Sequence, residues 1–279
     1  MKDFILPSGN SMPRLGLGTW YMGENPRTRA QEVEALRFGI EYGARLIDCA
    51  EMYGEGEAES IAGEAMAGYR DKLYVVSKFY PYNASRKGVI SACERSLRRL
   101  NTDYLDMYLL HWMGAVPFEE TLEALYHLKA QGKIRDYGVS NLDADDLADF
   151  CAADTQALCA TDQVLYNLAQ REPEWAVKPL CDQKGMSMMA YCPLDQGQLL
   201  YEPVLQEIGS RHNATPAQIA LAWLLNQQGV IAIPKSSTIA RVKENLDAVN
   251  IVLTGDDLEL LNQVFPAPRN DFEGRIGIR

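Results

Sequence analysis

A (β/α)8 TIM barrel with an N-terminal β-hairpin and extra helices near the C-terminus is the fold class this sequence predicts. Three observations carry it. Eight short apolar runs recur along the 279 residues. Most follow one another at about 30 residues, the length of one strand, loop, helix and return. The runs do not alternate apolar with polar, so they read as strands covered on both faces, as in a parallel sheet. Between them lie segments with apolar residues at helical spacing.

The elements follow in order. Residues 4–6 and 12–14 flank Ser8-Gly9-Asn10 and predict a hairpin outside the barrel. The barrel strands are expected at 15–18, 45–48, 73–78, 107–111, 137–140, around Gln163, at 187–191 and at 230–233. Val33, Leu36 and Ile40 stripe the first helix, which Gly43 can end. Val89, Cys93, Leu97 and Leu100 make another stripe, and Leu122, Leu125 and Leu128 a third, closed by Gly132. Residues 203–212 add a helix that lengthens the gap before the eighth strand. Thr215-Pro216-Ala217-Gln218 reads as a capping box with proline in the first turn. Ile239, Val242, Leu246 and Val249 stripe the helix after the eighth strand, and Thr254 with Asp257 opens the last one. No linker or low-complexity run divides the chain, so residues 1–279 are expected to form a single domain. A doubly wound nucleotide fold is the rival, but Gly16-Leu17-Gly18 is followed by Thr19-Trp20-Tyr21 and lacks the third glycine.

Composition removes several function classes. The net charge of −11 argues against nucleic acid, which selects a basic surface, and against anionic membranes. The longest apolar stretch, 219–225, is far too short to span a bilayer, and Pro7 and Gly9 interrupt the N-terminus before a signal core could form. Six cysteines without close pairing point to a reduced cytoplasmic chain. Three histidines without a His-Glu-x-x-His pair give no metal site. A monomer is expected.

In a parallel barrel the active site lies at the C-terminal mouth, so the residues that end the strands are the candidates. Asp48 ends the second strand, with Tyr53 five residues on; Lys78 and His111 end the third and fourth. Taken singly, each has an ordinary structural explanation, such as a lysine snorkelling to the surface. At three consecutive strand ends they converge, and together they describe a tuned phenol. Free tyrosine titrates near ~10, and a neighbouring ammonium is expected to lower that value. Asp48 would orient Lys78, and His111 would hydrogen-bond a carbonyl oxygen. Such a group can protonate an alkoxide as hydride reaches carbon. Lys235 and Ser236 after the eighth strand, with Arg241 on the next helix, make an anion site. An NAD site more often places an acid on the ribose, so this cluster favours NADPH. Trp20, Tyr80 and Trp112 are expected to wall an apolar pocket for a small carbonyl substrate.

Gly43-Ala44-Arg45-Leu46-Ile47-Asp48-Cys49-Ala50-Glu51-Met52-Tyr53, Leu105-Asp106-Met107-Tyr108-Leu109-Leu110-His111-Trp112 and Ile233-Pro234-Lys235-Ser236 resemble, in order, three signatures of the aldo-keto reductase superfamily. The resemblance covers essentially the whole chain. Thr19-Trp20-Tyr21-Met22-Gly23-Glu24 and Ala50-Glu51-Met52-Tyr53 are similar to its bacterial methylglyoxal-reductase-like members. It implies Tyr53 as general acid with Asp48, Lys78 and His111 as partners. It implies Ser140, Asn141 and Gln163 on the nicotinamide carboxamide and Tyr191 stacked on the ring. Lys235, Ser236 and Arg241 would hold the 2′-phosphate, and Glu244 and Asn245 the adenine. The implied activity is NADPH-dependent reduction of aldehydes and ketones, methylglyoxal and other small 2-oxoaldehydes first among them.

The chain departs from the pattern in places. Cys49 and Cys192 stand where many members carry small hydroxyl residues, and Gly54-Glu55-Gly56 follows Tyr53 where an x-Asn-Glu is common. The short tail after Phe265 suggests an open pocket. Two rivals remain at this stage. Lys78 could form a Schiff base, as in barrel aldolases. Alternatively, the fold could serve as a nucleotide-binding sensor or subunit with little turnover.

Overall fold

The computed structural model describes residues 2–268. A short antiparallel pair, β1 (Phe4–Ile5) with β2 (Ser11–Met12), precedes the barrel. The second arm ends earlier than the expected 12–14 because Arg14 already belongs to the barrel seam. Its carbonyl accepts from Ala232 N at 2.9 Å, and its guanidinium donates to the carbonyls of Leu225, Gln227 and Val230.

Eight strands follow: β3 (Leu17–Gly18), β4 (Leu46–Asp48), β5 (Tyr74–Phe79), β6 (Leu105–Leu110), β7 (Ile134–Ser140), β8 (Cys159–Leu165), β9 (Ser187–Tyr191) and β10 (Val230–Ala232). They are parallel and hydrogen-bonded in chain order. The sheet closes where Leu15 bridges Ala232 and Gly18 bridges Lys235. The closure demands a glycine, since a Cβ at Gly18 would lie 2.7 Å from the Ile233 carbonyl oxygen. Three strand ends differ slightly from expectation: β10 stops at Ala232, one residue short of 233. β5 runs on to Phe79, and His111 lies one residue beyond β6, its N–H donating to Phe79 O at 3.0 Å.

The helices surround the sheet: α1 (Arg29–Tyr42), α2 (Glu57–Ala65), α3 (Arg86–Leu100), α4 (Phe118–Ala130), α5 (Ala144–Ala153), α6 (Val177–Lys184), α7 (Pro203–His212), α8 (Pro216–Asn226), α9 (Ile239–Asp247) and α10 (Gly255–Val264). Gly43 caps α1, and the Thr215 and Thr254 capping boxes form with both reciprocal bonds. α7 is the extra helix expected at 203–212. The last stripe is shorter than it reads: α9 stops at Asp247, and Val249 lies beyond it, exposed. Among the described residues no helix is long and apolar enough to cross a membrane.

Two cores result. Leu46, Val76, Met107, Leu109, Met189 and Ile231 fill the barrel, with Leu6 and Met12 of the hairpin segment packed into the same cluster. A larger apolar belt lies between the strands and the helices. Because the interior is packed, ligands are left the opposite, C-terminal end, where the polar strand ends gather.

Candidate active site

Lys78 is wholly buried, and Asp48 nearly so. The lysine nitrogen lies 2.9 and 2.8 Å from the two Asp48 carboxylate oxygens, 2.8 Å from the Cys49 carbonyl and 3.1 Å from the Tyr53 hydroxyl. Asp48 also accepts from Gln163 Nε2 at 2.8 Å. The Tyr53 ring meets the His111 ring edge-on, with centroids 5.8 Å apart. The His111 Nδ1 is buried and has no hydrogen-bond partner among the described residues. The sequence after Tyr53 has a conformational reason: Gly54, Glu55 and Gly56 all have positive φ, at 55°, 54° and 97°. A Cβ at Gly54 would come within 2.8 Å of the Met22 carbonyl oxygen, so the loop that aims Tyr53 passes too close for a side chain there.

One expectation is corrected. Tyr53 is not lowered by Lys78; burial, followed by the Asp48 carboxylate, holds its phenol well above the usual tyrosine value. The Asp48 carboxylate paired with the lysine offsets its positive field at the phenol. His111 is held well below the usual histidine range, by burial first and then by the positive charge of Lys78. At neutral pH the site therefore presents a protonated phenol beside a neutral imidazole. Both can donate a hydrogen bond to an oxygen that gains negative charge.

A cavity of about 790 Å³ opens at this mouth. Every expected site residue reaches its wall except Lys78 and Tyr80. Tyr80 stacks on Tyr82 and touches the edge of Trp112, so it braces the pocket from outside. The expected carboxamide residues hold one another. Ser140 Oγ donates to Gln163 O at 2.8 Å, Asn141 Nδ2 donates to His111 O at 3.1 Å, and Tyr191 OH donates to Asn141 Oδ1 at 2.8 Å.

At the far end, Lys235 is half-buried and its ammonium is lowered by that burial, against the pull of Glu32 and Glu24. Neither the Lys235 nor the Arg241 side chain makes a hydrogen bond or ion pair among the described residues. Thr238 precedes α9 without a side-chain cap, which leaves helix N–H groups open beside them. Glu244 accepts from Thr215 Oγ1 at 2.5 Å, and Asn245 is buried.

Sequence reasoning missed part of the wall: Tyr21, Met52, Leu194, Gln196 and Leu200. Tyr21 stacks on Trp20 with centroids 4.3 Å apart. Cys192, Asp195 and Gln196 turn through left-handed backbone together with Gly197, and of these four the glycine is the one whose residue type favours that conformation. The Cys192 thiol is pushed up to about 12 by burial and then by Asp195, and burial drives Cys49 up further still. Neither sulfur is a thiolate at neutral pH. The tail that was expected to leave the pocket open lies, from residue 269 on, outside the described residues.

A closed barrel that joins an acid–base cluster to a cationic groove at one mouth defines a cofactor-dependent barrel enzyme. The aldo/keto reductase family model matches residues 14–265, and the chain belongs to that family of oxidoreductases. It is 50% identical over 264 residues to the methylglyoxal reductase YeaE of Escherichia coli K12, covering 93% of each chain. It is 35% identical over 265 residues to the glyoxal reductase of Bacillus subtilis 168, covering 94% of this chain and 92% of that one. The aldo/keto reductase of Klebsiella pneumoniae, solved in complex with NADP and acetate, superposes with a TM-score of 0.95 at 44% identity, over 100% of this chain and 99% of that one.

Proposed function

We propose that this protein reduces aldehydes and ketones with NADPH, small 2-oxoaldehydes such as methylglyoxal foremost, and that Tyr53 is the general acid. One observation carries the reading. The Tyr53 hydroxyl stands 3.1 Å from the Lys78 nitrogen on the wall of a cavity whose other end holds Lys235 and Arg241, unpaired among the described residues.

The residues fit a phosphorylated dinucleotide. Lys235, Ser236 and Arg241 would hold its 2′-phosphate, and Glu244 and Asn245 its adenine. Ser140, Asn141 and Gln163 would take the carboxamide, with Tyr191 against the ring. When bound, NADPH supplies a hydride to the carbonyl carbon. His111, neutral, orients the carbonyl oxygen by hydrogen bonding. Tyr53, protonated at rest, gives its proton to the developing alkoxide. Lys78, held by Asp48, steadies the phenolate left behind.

The substrate class is supported by the two relatives named for methylglyoxal and glyoxal, and by a wall that includes Trp20, Trp112 and Met52. The six free thiols fit a reducing cytoplasm, and a site complete within one chain fits a monomer. A Schiff base at Lys78 is disfavoured because that amine is sealed from the cavity.

The test follows NADPH absorbance with methylglyoxal and a panel of small aldehydes for wild type and Tyr53→Phe, after equal NADPH binding has been established. Turnover by wild type and a loss of ~100-fold or more in the variant is the expected result. Tight NADPH binding without turnover in either would favour the sensor role. Full activity in the variant would remove Tyr53 as the acid.

A further inference from the structure

Glu51 sits in the short segment between Asp48 and Tyr53, yet its side chain is almost fully buried. A carboxylate placed there needs partners, because burying it unpaired is strongly unfavourable. It has three, all on the next strand unit. Oε1 accepts from the backbone N–H of Tyr80 and from Asn83 Nδ2, each at 2.8 Å. Oε2 accepts from Arg95 Nη2 on α3 at 3.2 Å. The Glu51 backbone N–H donates in turn to the carbonyl of Lys78 at 3.1 Å.

These bonds have a geometric consequence. Tyr53 and Lys78 come from different strand units, and the loop after Tyr53 is made of left-handed residues that hold no ladder with β5. The backbone of the Asp48–Tyr53 segment meets the Lys78 strand through single N–H bonds at Cys49, to Val76, and at Glu51, to Lys78. The carboxylate then extends the junction beyond the strand end, to Tyr80, Asn83 and Arg95. The Tyr80 ring braces Trp112, so the bond from the Tyr80 backbone N–H to Glu51 ties the acid's loop to the residue behind one wall of the pocket.

We infer that Glu51 is a positioning residue for the reaction: through Tyr80, Asn83 and Arg95 it sets where the Tyr53 hydroxyl stands relative to Lys78 and to the bound carbonyl. It is not part of the cavity wall, and the inference rests on Tyr53 being the acid. Misplacing a reacting group by about an ångström can cost ~100-fold in rate, so even partial release of this clamp should be visible in kcat.

The experiment compares wild type, Tyr53→Phe, Glu51→Ala, Glu51→Gln and Asn83→Ala. It measures kcat and KM with methylglyoxal, and the NADPH Kd by fluorescence quenching. Glu51→Ala should lower kcat by ~10-fold or more while the NADPH Kd stays within ~2-fold. Glu51→Gln keeps an oxygen for Tyr80 N and Asn83 and should restore kcat to within ~3-fold of wild type. Asn83→Ala should lower kcat by ~2- to 5-fold with the same Kd, and it carries the test should Glu51→Ala not fold. Glu51→Ala, or Asn83→Ala in its place, at wild-type kcat while Tyr53→Phe is inactive would overturn the positioning role alone. Parallel loss of kcat and NADPH affinity in Glu51→Ala and Glu51→Gln would also overturn it, in favour of general disruption. Full activity in Tyr53→Phe would instead overturn the acid assignment beneath it.

Discussion

Lys78→Met separates what the buried ion pair does for stability from what it does for chemistry. The substitution keeps an unbranched side chain, one atom shorter, and removes its charge. Asp48 is then left 2% exposed, with Gln163 Nε2 at 2.8 Å as its remaining side-chain donor. Removing one partner of a buried pair usually costs ~3–5 kcal/mol, because the other charge stays buried without compensation. The Gln163 bond puts the expected loss at the low end, about 3 kcal/mol. For a chain of this size each ~1 kcal/mol moves Tm by about 2–4 °C, so Tm should fall by about 6–12 °C. Adding Asp48→Asn removes the stranded charge, and the double variant should regain more than half of that loss. Activity should not return with stability: both variants should turn over at ~1% of wild type or less. Thermal and urea unfolding, with single-turnover NADPH oxidation on the folded fractions, check all three statements. Wild-type stability in Lys78→Met, or a double variant no better than the single one, would refute the electrostatic account. Recovery of activity in the double variant would show that proton transfer does without the lysine.

The cationic end of the cavity predicts a cofactor-selective defect. Arg241→Ala should weaken NADPH by ~10- to 100-fold, the worth of one charge-assisted bond to phosphate, and leave NADH unchanged. Equal loss for both nucleotides in a binding titration at fixed salt would rule out contact with the 2′-phosphate. Acid stability should report Asp257, which joins α10 to α7 through His212 at 2.7 Å and Arg211 at 3.2 Å. Burial alone would raise its carboxyl, but hydrogen bonds from the Thr254 backbone and from His212 outweigh burial and hold it at about 2. A carboxyl depressed in the folded state adds stability above its unfolded value, near ~4, and loses that contribution as pH falls from ~4 toward about 2. The Tm gap between wild type and Asp257→Asn should thus be largest at neutral pH and close across that window; a gap independent of pH would contradict the assignment.

The barrel was legible because its signals are local and repeated. Runs without alternation marked strands covered on both faces, and the spacing of about 30 residues left room for one crossover helix each. The Thr215 and Thr254 boxes were legible because a hydroxyl and its reciprocal partner three residues on specify a helix start by chemistry alone. What could not be read depends on where chains meet. α2, α5 and α6 are 8 to 10 residues long; α2 and α5 are rich in alanine and acid, and α6 offers few apolar residues, so their stripes are faint. Arg14 reads as the end of a hairpin arm, and only closure of the barrel shows that its backbone belongs to Ala232.

In the site, the sequence disclosed which groups gather but not how they share their hydrogen bonds. The misjudged direction for Tyr53 shows why. Proximity to a lysine suggested a lowered phenol, yet the lysine nitrogen has three N–H donors and four oxygens around it. The carboxylate and the Cys49 carbonyl sit at 2.8–2.9 Å, while Tyr53, at 3.1 Å, is the most distant of the four. At rest the phenol is thus the weakest claimant, and burial keeps its proton in place. Once that proton leaves, the phenolate becomes a charged acceptor and competes with the carboxylate on equal terms. The lysine can then turn a donor toward it without moving through space. An arrangement that leaves the resting acid protonated and still stabilises its conjugate base favours the charge distribution of the transition state over that of the ground state, which is what lowers a barrier.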